Sequence, residues 1–209
     1  MTKQISPISE AKRLETLWAG EFGNIYTERN ITAADGRESF WGMILNKYPV
    51  RRILEVGCNI GANLQWIHKM IPPREVYGVD INEHALGELR NNLVAVNAIW
   101  STARELPFRD QWFDLVFTAG VLIHQPDSSL PIVMEEIVRC SCQYVLCIEY
   151  FSEETVEIPY RGQDRALFKR DYGQIYCETF PNLKLLEQGM LGRNEGWDDV
   201  TFWLLEKTR

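Results

Sequence analysis

The chain has 209 residues, is 45% apolar and 24% charged, and carries a formal net charge of −7. Such a chain is long enough for one sizeable core, and its acidity argues against a nucleic-acid partner held mainly through phosphates. No apolar run reaches membrane-spanning length, the first ten residues (M-T-K-Q-I-S-P-I-S-E) lack a signal-peptide core, and five irregularly spaced cysteines (Cys58, Cys140, Cys142, Cys147, Cys177) read as reduced thiols. The expectation is a cytoplasmic protein without membrane, nucleic-acid or metal partners.

In chain order, the first residues are polar, and a helical pattern begins with Leu14 and Leu17. The segment W-A-G-E-F-G-N-I-Y-T-E-R-N, Trp18 to Asn30, mixes aromatic, glycine and charged residues. It reads either as a cover packed on the core or as a lid whose Tyr26 and Arg29 reach a polar ligand, and the two readings are compatible. Residues 37–48 place Phe40, Ile44 and Tyr48 on one helical face, which ends at Pro49. Ile53-Leu54-Glu55-Val56 is a short buried strand that runs directly into Gly57-Cys58-Asn59-Ile60-Gly61. A helix over 62–70 follows, so the glycines sit between strand and helix, where backbone N–H groups face a crevice.

Glu75 to Asp80 is a second strand ending in an acid 23 positions after Gly57. A carboxylate there suits the two hydroxyls of a ribose, or it caps the next helix, although Asn82 is the more natural cap. A weak third strand covers Val94 to Trp100, a fourth Phe113 to Thr118 and a fifth Gln143 to Glu149, with an amphipathic helix over Leu130 to Arg139. Strands alternating with helices specify a doubly wound parallel α/β sheet. Residues 151–174 are charged and irregular. Leu183–Gly189 and Asp199–Lys207 then form a terminal hairpin, with Val200, Phe202 and Leu204 alternating with Thr201, Trp203 and Leu205. No linker or repeat divides the chain, so a single domain is expected.

The run Glu55-x-Gly57-x-x-x-Gly61, Asp80 at the next strand end, L-P-F at 106–108, F-D-L-V at 113–116 and the terminal hairpin resemble class I S-adenosylmethionine (SAM)-dependent methyltransferases. The resemblance implies a Rossmann-like seven-stranded sheet, mostly parallel with an antiparallel C-terminal hairpin. It divides the chain into an N-terminal helical cap, 1–48, and a catalytic core, 49–209. The segments W-A-G-E-F-G-N-I-Y-T-E-R-N, A-L-F-K-R-D-Y-G and D-D-V-T-F-W-L-L-E-K are similar to methylases associated with pseudaminic acid biosynthesis, which points to a nonulosonic acid or nucleotide-activated sugar as acceptor.

By that resemblance, Gly57, Cys58, Asn59 and Gly61 line SAM, Glu55 lies near its amino group, Asp80 holds the ribose and Ile81 packs on the adenine. Ser101, Thr102 and Ala103 stand where many relatives have an adenine-binding Asp. Thr118, Ala119 and Gly120 face the methionine moiety, and Tyr26 and Arg29 close over the carboxylate. His124 is the first candidate for a general base, or a histidine fixing the loop before Pro126, and Glu149 is the second candidate. Tyr150, Arg161, Arg165, Lys169, Asp171 and Tyr172 are acceptor-binding candidates, and the cations among them suit an acidic acceptor or form a solvated face. SAM is the implied methyl donor, with S-adenosylhomocysteine (SAH) as product, the acceptor is a small molecule, and the protein is a monomer or homodimer.

Overall fold

The computed structural model describes residues 7–30 and 36–208; the expectations for residues 1–6 and 31–35 lie outside them. The elements in chain order are α1 (Pro7–Ala19), α2 (Glu21–Arg29), α3 (Glu38–Lys47), β1 (Ile53–Val56), α4 (Leu64–Ile67), β2 (Val76–Asp80), α5 (Glu83–Asn92), β3 (Asn97–Trp100) and β4 (Phe113–Ala119). They continue with α6 (Leu130–Cys140), β5 (Ser141–Glu149), β6 (Val156–Tyr160), β7 (Gln163–Lys169), α7 (Tyr172–Thr179), β8 (Leu183–Leu191) and β9 (Val200–Lys207). No helix among the described residues is long and apolar enough to cross a membrane.

Seven strands form one sheet in the order β3-β2-β1-β4-β5-β9-β8. β1 is an interior strand with every residue of Ile53–Val56 buried, and it pairs in parallel with β2 on one side and β4 on the other. Strands buried on both faces need helices on both faces, and two apolar layers supply them. Phe40, Trp41, Ile53, Phe117, Phe202 and Leu204 belong to one layer; Leu54, Val56, Val116, Ile137, Trp203 and Leu205 belong to the other. The alternation expected along the last strand is therefore present. β9 is antiparallel to both β5 and β8, so the last strand of the chain lies inside the sheet and β8 forms the edge.

Two expectations fail. Residues 151–174 are not irregular: β6 and β7 form a separate antiparallel hairpin, followed by α7. β6 is only five residues long, mostly exposed and interrupted by Pro159, so its brief alternation of Val156, Ile158 and Tyr160 did not stand out among the charged residues around it. The helix after the glycine loop is a single short element, Leu64–Ile67, because Leu64 and Ile67 are buried whereas Met70 is 41% exposed and outside the packed stripe.

Helices α1 and α2 lie over the C-terminal ends of the strands. Arg104 pairs with Glu15 at 2.7 Å, Asn82 donates to the carbonyl of Trp18 and to Asn24, and Asn59 donates to Thr27. The β6–β7 hairpin joins this cover through Arg13, whose guanidinium donates to the Asp164 carbonyl at 2.9 Å.

Candidate active site

Beneath this cover lies a cavity of about 660 Å³ bounded by the ends of β1, β2, β4 and β5, by α1 and α2, and by the loops before β7 and β9. Of the candidates from sequence, it brings together Tyr26, Arg29, Glu55, Gly57, Cys58, Asn59, Asp80, Ile81, Ser101, Ala103, Ala119, Gly120, His124, Tyr150 and Arg161.

The glycine loop serves by its shape. The N–H groups of Gly57 and Cys58 both donate to the Val79 carbonyl at 2.8 and 2.9 Å, and that of Gly61 donates to Cys58 O. Asn59 N–H donates to Asp80 Oδ2 at 2.8 Å and Ile60 N–H to Asn59 Oδ1. The expectation of backbone donors facing the crevice is thus corrected: those of Gly57, Cys58 and Asn59 bond β2, and those of Ile60 and Gly61 bond within the loop. Gly57 has a φ of +76°, and a Cβ there would stand 2.3 Å from Val121 Cγ2, so only glycine lets the segment after β4 close against the loop.

Asp80 ends β2 with its carboxylate spanning two loops, accepting from Asn59 N–H and, through Oδ1, from Asn82 N–H at 2.8 Å. Burial raises its pKa against the opposing effect of these backbone donors. Asn82, as expected, caps α5 by accepting from Ala85 N–H.

Glu55 is 2% exposed; its Oε1 accepts from Asn63 Nδ2 at 2.6 Å, and its Oε2 has no hydrogen-bond partner. Burial pushes its pKa up to about 8, opposed by the Asn63 hydrogen bond and the nearby Arg37 charge. Arg37 donates to Asn63 Oδ1 at 2.9 Å and to Gly196 O at 2.9 Å, and its guanidinium lies 4.2 Å from the ring centroid of Trp197. Trp197 is buried, and its indole N–H has no partner. Sequence reasoning missed Arg37 and Trp197. The available signal was a cation at the N-cap of α3, where the helix dipole disfavours it.

His124 lies under Trp18, ring centroids 4.4 Å apart, with Tyr160 at 5.3 Å. Its Nδ1 is hydrogen-bonded to the Ala166 carbonyl, which only accepts, so Nδ1 carries the proton and Nε2 is left with its lone pair. Burial lowers its pKa to about 4, against the raising effect of that hydrogen bond.

Eight candidates lie elsewhere. Glu149 is fully buried and accepts from Thr118 Oγ1 at 2.8 Å and from the N–H groups of Val121, Leu122 and Ile123. The short turn that starts at Leu122 exposes unpaired N–H groups at its N-terminus, and this carboxylate satisfies them. It therefore shapes the loop bearing His124, and neither it nor Thr118, which is turned toward it, lines the cavity. We expect Glu149→Gln, which keeps an accepting oxygen, to lower stability by about 1 kcal/mol and leave turnover within severalfold of wild type. Lost turnover with an unchanged melting temperature would restore Glu149 as the base.

Gly61 faces Leu89 of α5 and Leu93 just beyond its end, and Thr102 lines a separate surface dent beside Trp100. Arg165 stands 3.8 Å from Glu157, and the Lys169 ammonium lies 5.5 Å from the Tyr150 ring. Asp171 caps α7 by accepting from Gln174 N–H, and Tyr172, fully buried, donates to Phe168 O. Ser101 lines the cavity and donates its hydroxyl proton toward the carbonyls of Thr102 and Glu105, which leaves the lone pairs of its oxygen to accept.

A sheet of this order, with a glycine loop after the first strand and an acid ending the second, is the class I methyltransferase fold. Residues 53–142, from β1 through α6, match the methyltransferase-domain family. Two similar curated proteins are a phthiotriol/phenolphthiotriol dimycocerosates methyltransferase 1 of Mycobacterium ulcerans, 32% identical over 68 residues, and a fatty-acid O-methyltransferase of Mycolicibacterium smegmatis, 31% identical over 68 residues. In both cases the match covers 32% of this chain and 25% of the relative. The chain thus spans about a quarter of the length of these relatives.

Among solved structures, a Burkholderia thailandensis 1,6-didemethyltoxoflavin-N1-methyltransferase with bound 1,6-didemethyltoxoflavin and SAH superposes with a TM-score of 0.74 at 13% identity, covering 100% of this chain and 93% of the other. A magnesium protoporphyrin IX methyltransferase from Synechocystis PCC 6803 with bound SAM superposes at 0.69 and 12% identity, with 100% of both chains covered.

Proposed function

We propose that the protein is a SAM-dependent methyltransferase acting on a small molecule, with a nonulosonic acid or nucleotide-activated sugar of surface-glycan synthesis as the favoured acceptor. The observation that carries the donor assignment is the partnerless Oε2 of Glu55, a buried acceptor on the cavity wall, with Asp80 at the tip of the adjacent strand. A buried polar atom without a partner is costly, and a donor group arriving with the ligand removes that cost.

The residues present fit the donor. Glu55 takes an ammonium, Arg37 and the Trp197 indole N–H take a carboxylate, and Asp80 accepts from ribose hydroxyls with the lone pairs its two backbone donors leave free. Arg37, joined to Glu55 through Asn63, is better placed for the carboxylate than Arg29. When bound, SAM supplies a methyl group on a positively charged sulfur, an already activated leaving group. The chain's own contribution is alignment and exclusion of water: the aromatic cover of Trp18, Tyr26 and Tyr160 closes the cavity, and the loop after β4 sets the floor. His124 Nε2 accepts the proton of an acceptor hydroxyl or amine. Because its imidazole is neutral down to about pH 4, its proton-accepting form is present throughout the physiological range.

Replacement of His124 by Ala should leave SAH affinity within twofold and slow transfer by roughly 10²-fold, the low end for general-base catalysis because so low a pKa makes a weak base. Unchanged turnover would remove it from the mechanism. The wild-type rate should show no ionisation near pH 6.5. The acceptor assignment is tested by incubating labelled SAM with nucleotide sugars, nonulosonic acids, peptides and RNA. Label is expected in one of the first two, and label in RNA alone would overturn the proposal. The similar proteins act, by their names, on lipid, toxoflavin and porphyrin compounds, so another small metabolite is the second reading for the acceptor, and a SAM-binding protein without transferase activity the third.

A further inference from the structure

The cations around the cover fall into two sets. Arg165 is paired with Glu157, and the buried Arg170 is paired with the exposed Asp127 at 2.7 Å. Arg29 and Arg161 line the cavity, and both are exposed at its opening. Among the described residues neither has a carboxylate within ion-pair distance; each lies instead beside an aromatic ring, Arg29 at 5.9 Å from Tyr26 and Arg161 at 5.7 Å from Tyr160. They arrive from two separate covering elements, α2 and the β6–β7 turn. In a chain of net charge −7, these are two guanidinium groups at one cavity, each without a carboxylate partner among the described residues.

Arg161 bears a second mark. It has a φ of +50° in the two-residue turn Arg161-Gly162, with Gly162 at +79°. A hairpin turn with both central residues left-handed favours Asn, Asp or Gly first, and a long cationic side chain there carries a conformational cost. No hydrogen bond or ion pair within the described chain offsets that cost, and a strained residue at a cavity rim is characteristic of a ligand contact.

We infer that Arg161, assisted by Arg29, selects the acceptor by binding an anionic oxygen group, phosphate or carboxylate, that the acceptor carries at the cavity mouth. The inference deepens the transferase reading and rests on it for the word acceptor. A guanidinium presents a planar fork of donors matched to both groups. It turns the expectation of an acidic acceptor, first spread over Arg161, Arg165 and Lys169, into an assignment to one side chain.

The test is calorimetric titration of the SAH-loaded protein with UDP, with N-acetylneuraminate and with neutral N-acetylglucosamine. UDP and N-acetylneuraminate distinguish phosphate from carboxylate as the source of the charge. At least one of the two anions should bind more tightly than the neutral sugar. Arg161→Asn, which suits the turn, should weaken that anion about tenfold while SAH affinity is unchanged and the melting temperature is unchanged or higher. Arg165→Ala should leave all three titrations as in wild type. Failure of both anions to bind wild type, or an Arg161→Asn protein that binds them equally well, would overturn the inference. If SAH itself does not bind, the donor reading falls, and the same titrations on the unliganded protein still decide whether Arg161 holds an anion.

Discussion

Asp80→Asn should lose SAH affinity by more than 100-fold and lower stability by about 2–4 kcal/mol. The carboxylate accepts from two backbone N–H groups on different loops, Asn59 through Oδ2 and Asn82 through Oδ1. An amide has one accepting oxygen, so its NH2 group must face one of these donors, and a hydrogen bond to a charged acceptor becomes a donor–donor contact. Each hydrogen bond to a charged group contributes about 1.5–3 kcal/mol. The affinity loss adds the ribose contacts to the displaced loop. Calorimetry with SAH, alongside urea denaturation, separates the two effects; SAH binding as tight as wild type in a folded variant would remove Asp80 from the site.

Glu55→Gln gives the opposite combination, a loss of affinity without a loss of stability. The substitution preserves shape and the Asn63 hydrogen bond can survive through the amide oxygen, while the buried ionisable group disappears. The native pKa of Glu55, about 8, lies above the ordinary carboxylate range, so between about pH 4.5 and pH 8 the folded state holds a proton that the unfolded chain has released. Stability from this group is therefore greatest in acid and falls as pH rises through that window. Glu149, raised by burial to about 7, acts in the same direction, whereas His124, lowered to about 4, makes stability rise between pH 4 and 6.5. Glu55→Gln should flatten the decline between pH 6 and 8 and weaken SAH by about 100-fold through loss of a buried charge partner for the ammonium. Wild type, in turn, should release close to one proton per SAH bound at pH 7, read from calorimetry in buffers of different ionisation enthalpy. An unaltered decline in Glu55→Gln would show that another group is responsible.

Much of the fold was legible because parallel strands buried on both faces leave short apolar runs, which located β1, β2, β4 and β5, whereas the partly exposed edge strand β3 gave only a weak signal. The tip residues Gly57 and Asp80 were legible because a turn and a strand end fix them within one local segment. What escaped was non-local or unpatterned. The β6–β7 hairpin is anchored by the contiguous buried run Ala166–Phe168 rather than by a long alternating stripe, and its exposed, charged remainder resembled a loop. Arg37 reaches Gly196 across 159 positions, a contact that no window of the chain contains. Glu149 was placed correctly at a strand end, but which way its carboxylate turns depends on the N–H groups of a loop some 26 residues away. Side-chain direction at the sheet edge, more than element identity, separated the expected site from the one that forms.

The most direct test is calorimetric titration of the wild-type chain with SAM and, separately, with NADH, since glycine loops after a first strand serve both kinds of ligand. One SAM site per chain is expected, weakened by Asp80→Asn and Glu55→Gln, with no binding of NADH. Binding of NADH without binding of SAM would contradict this expectation.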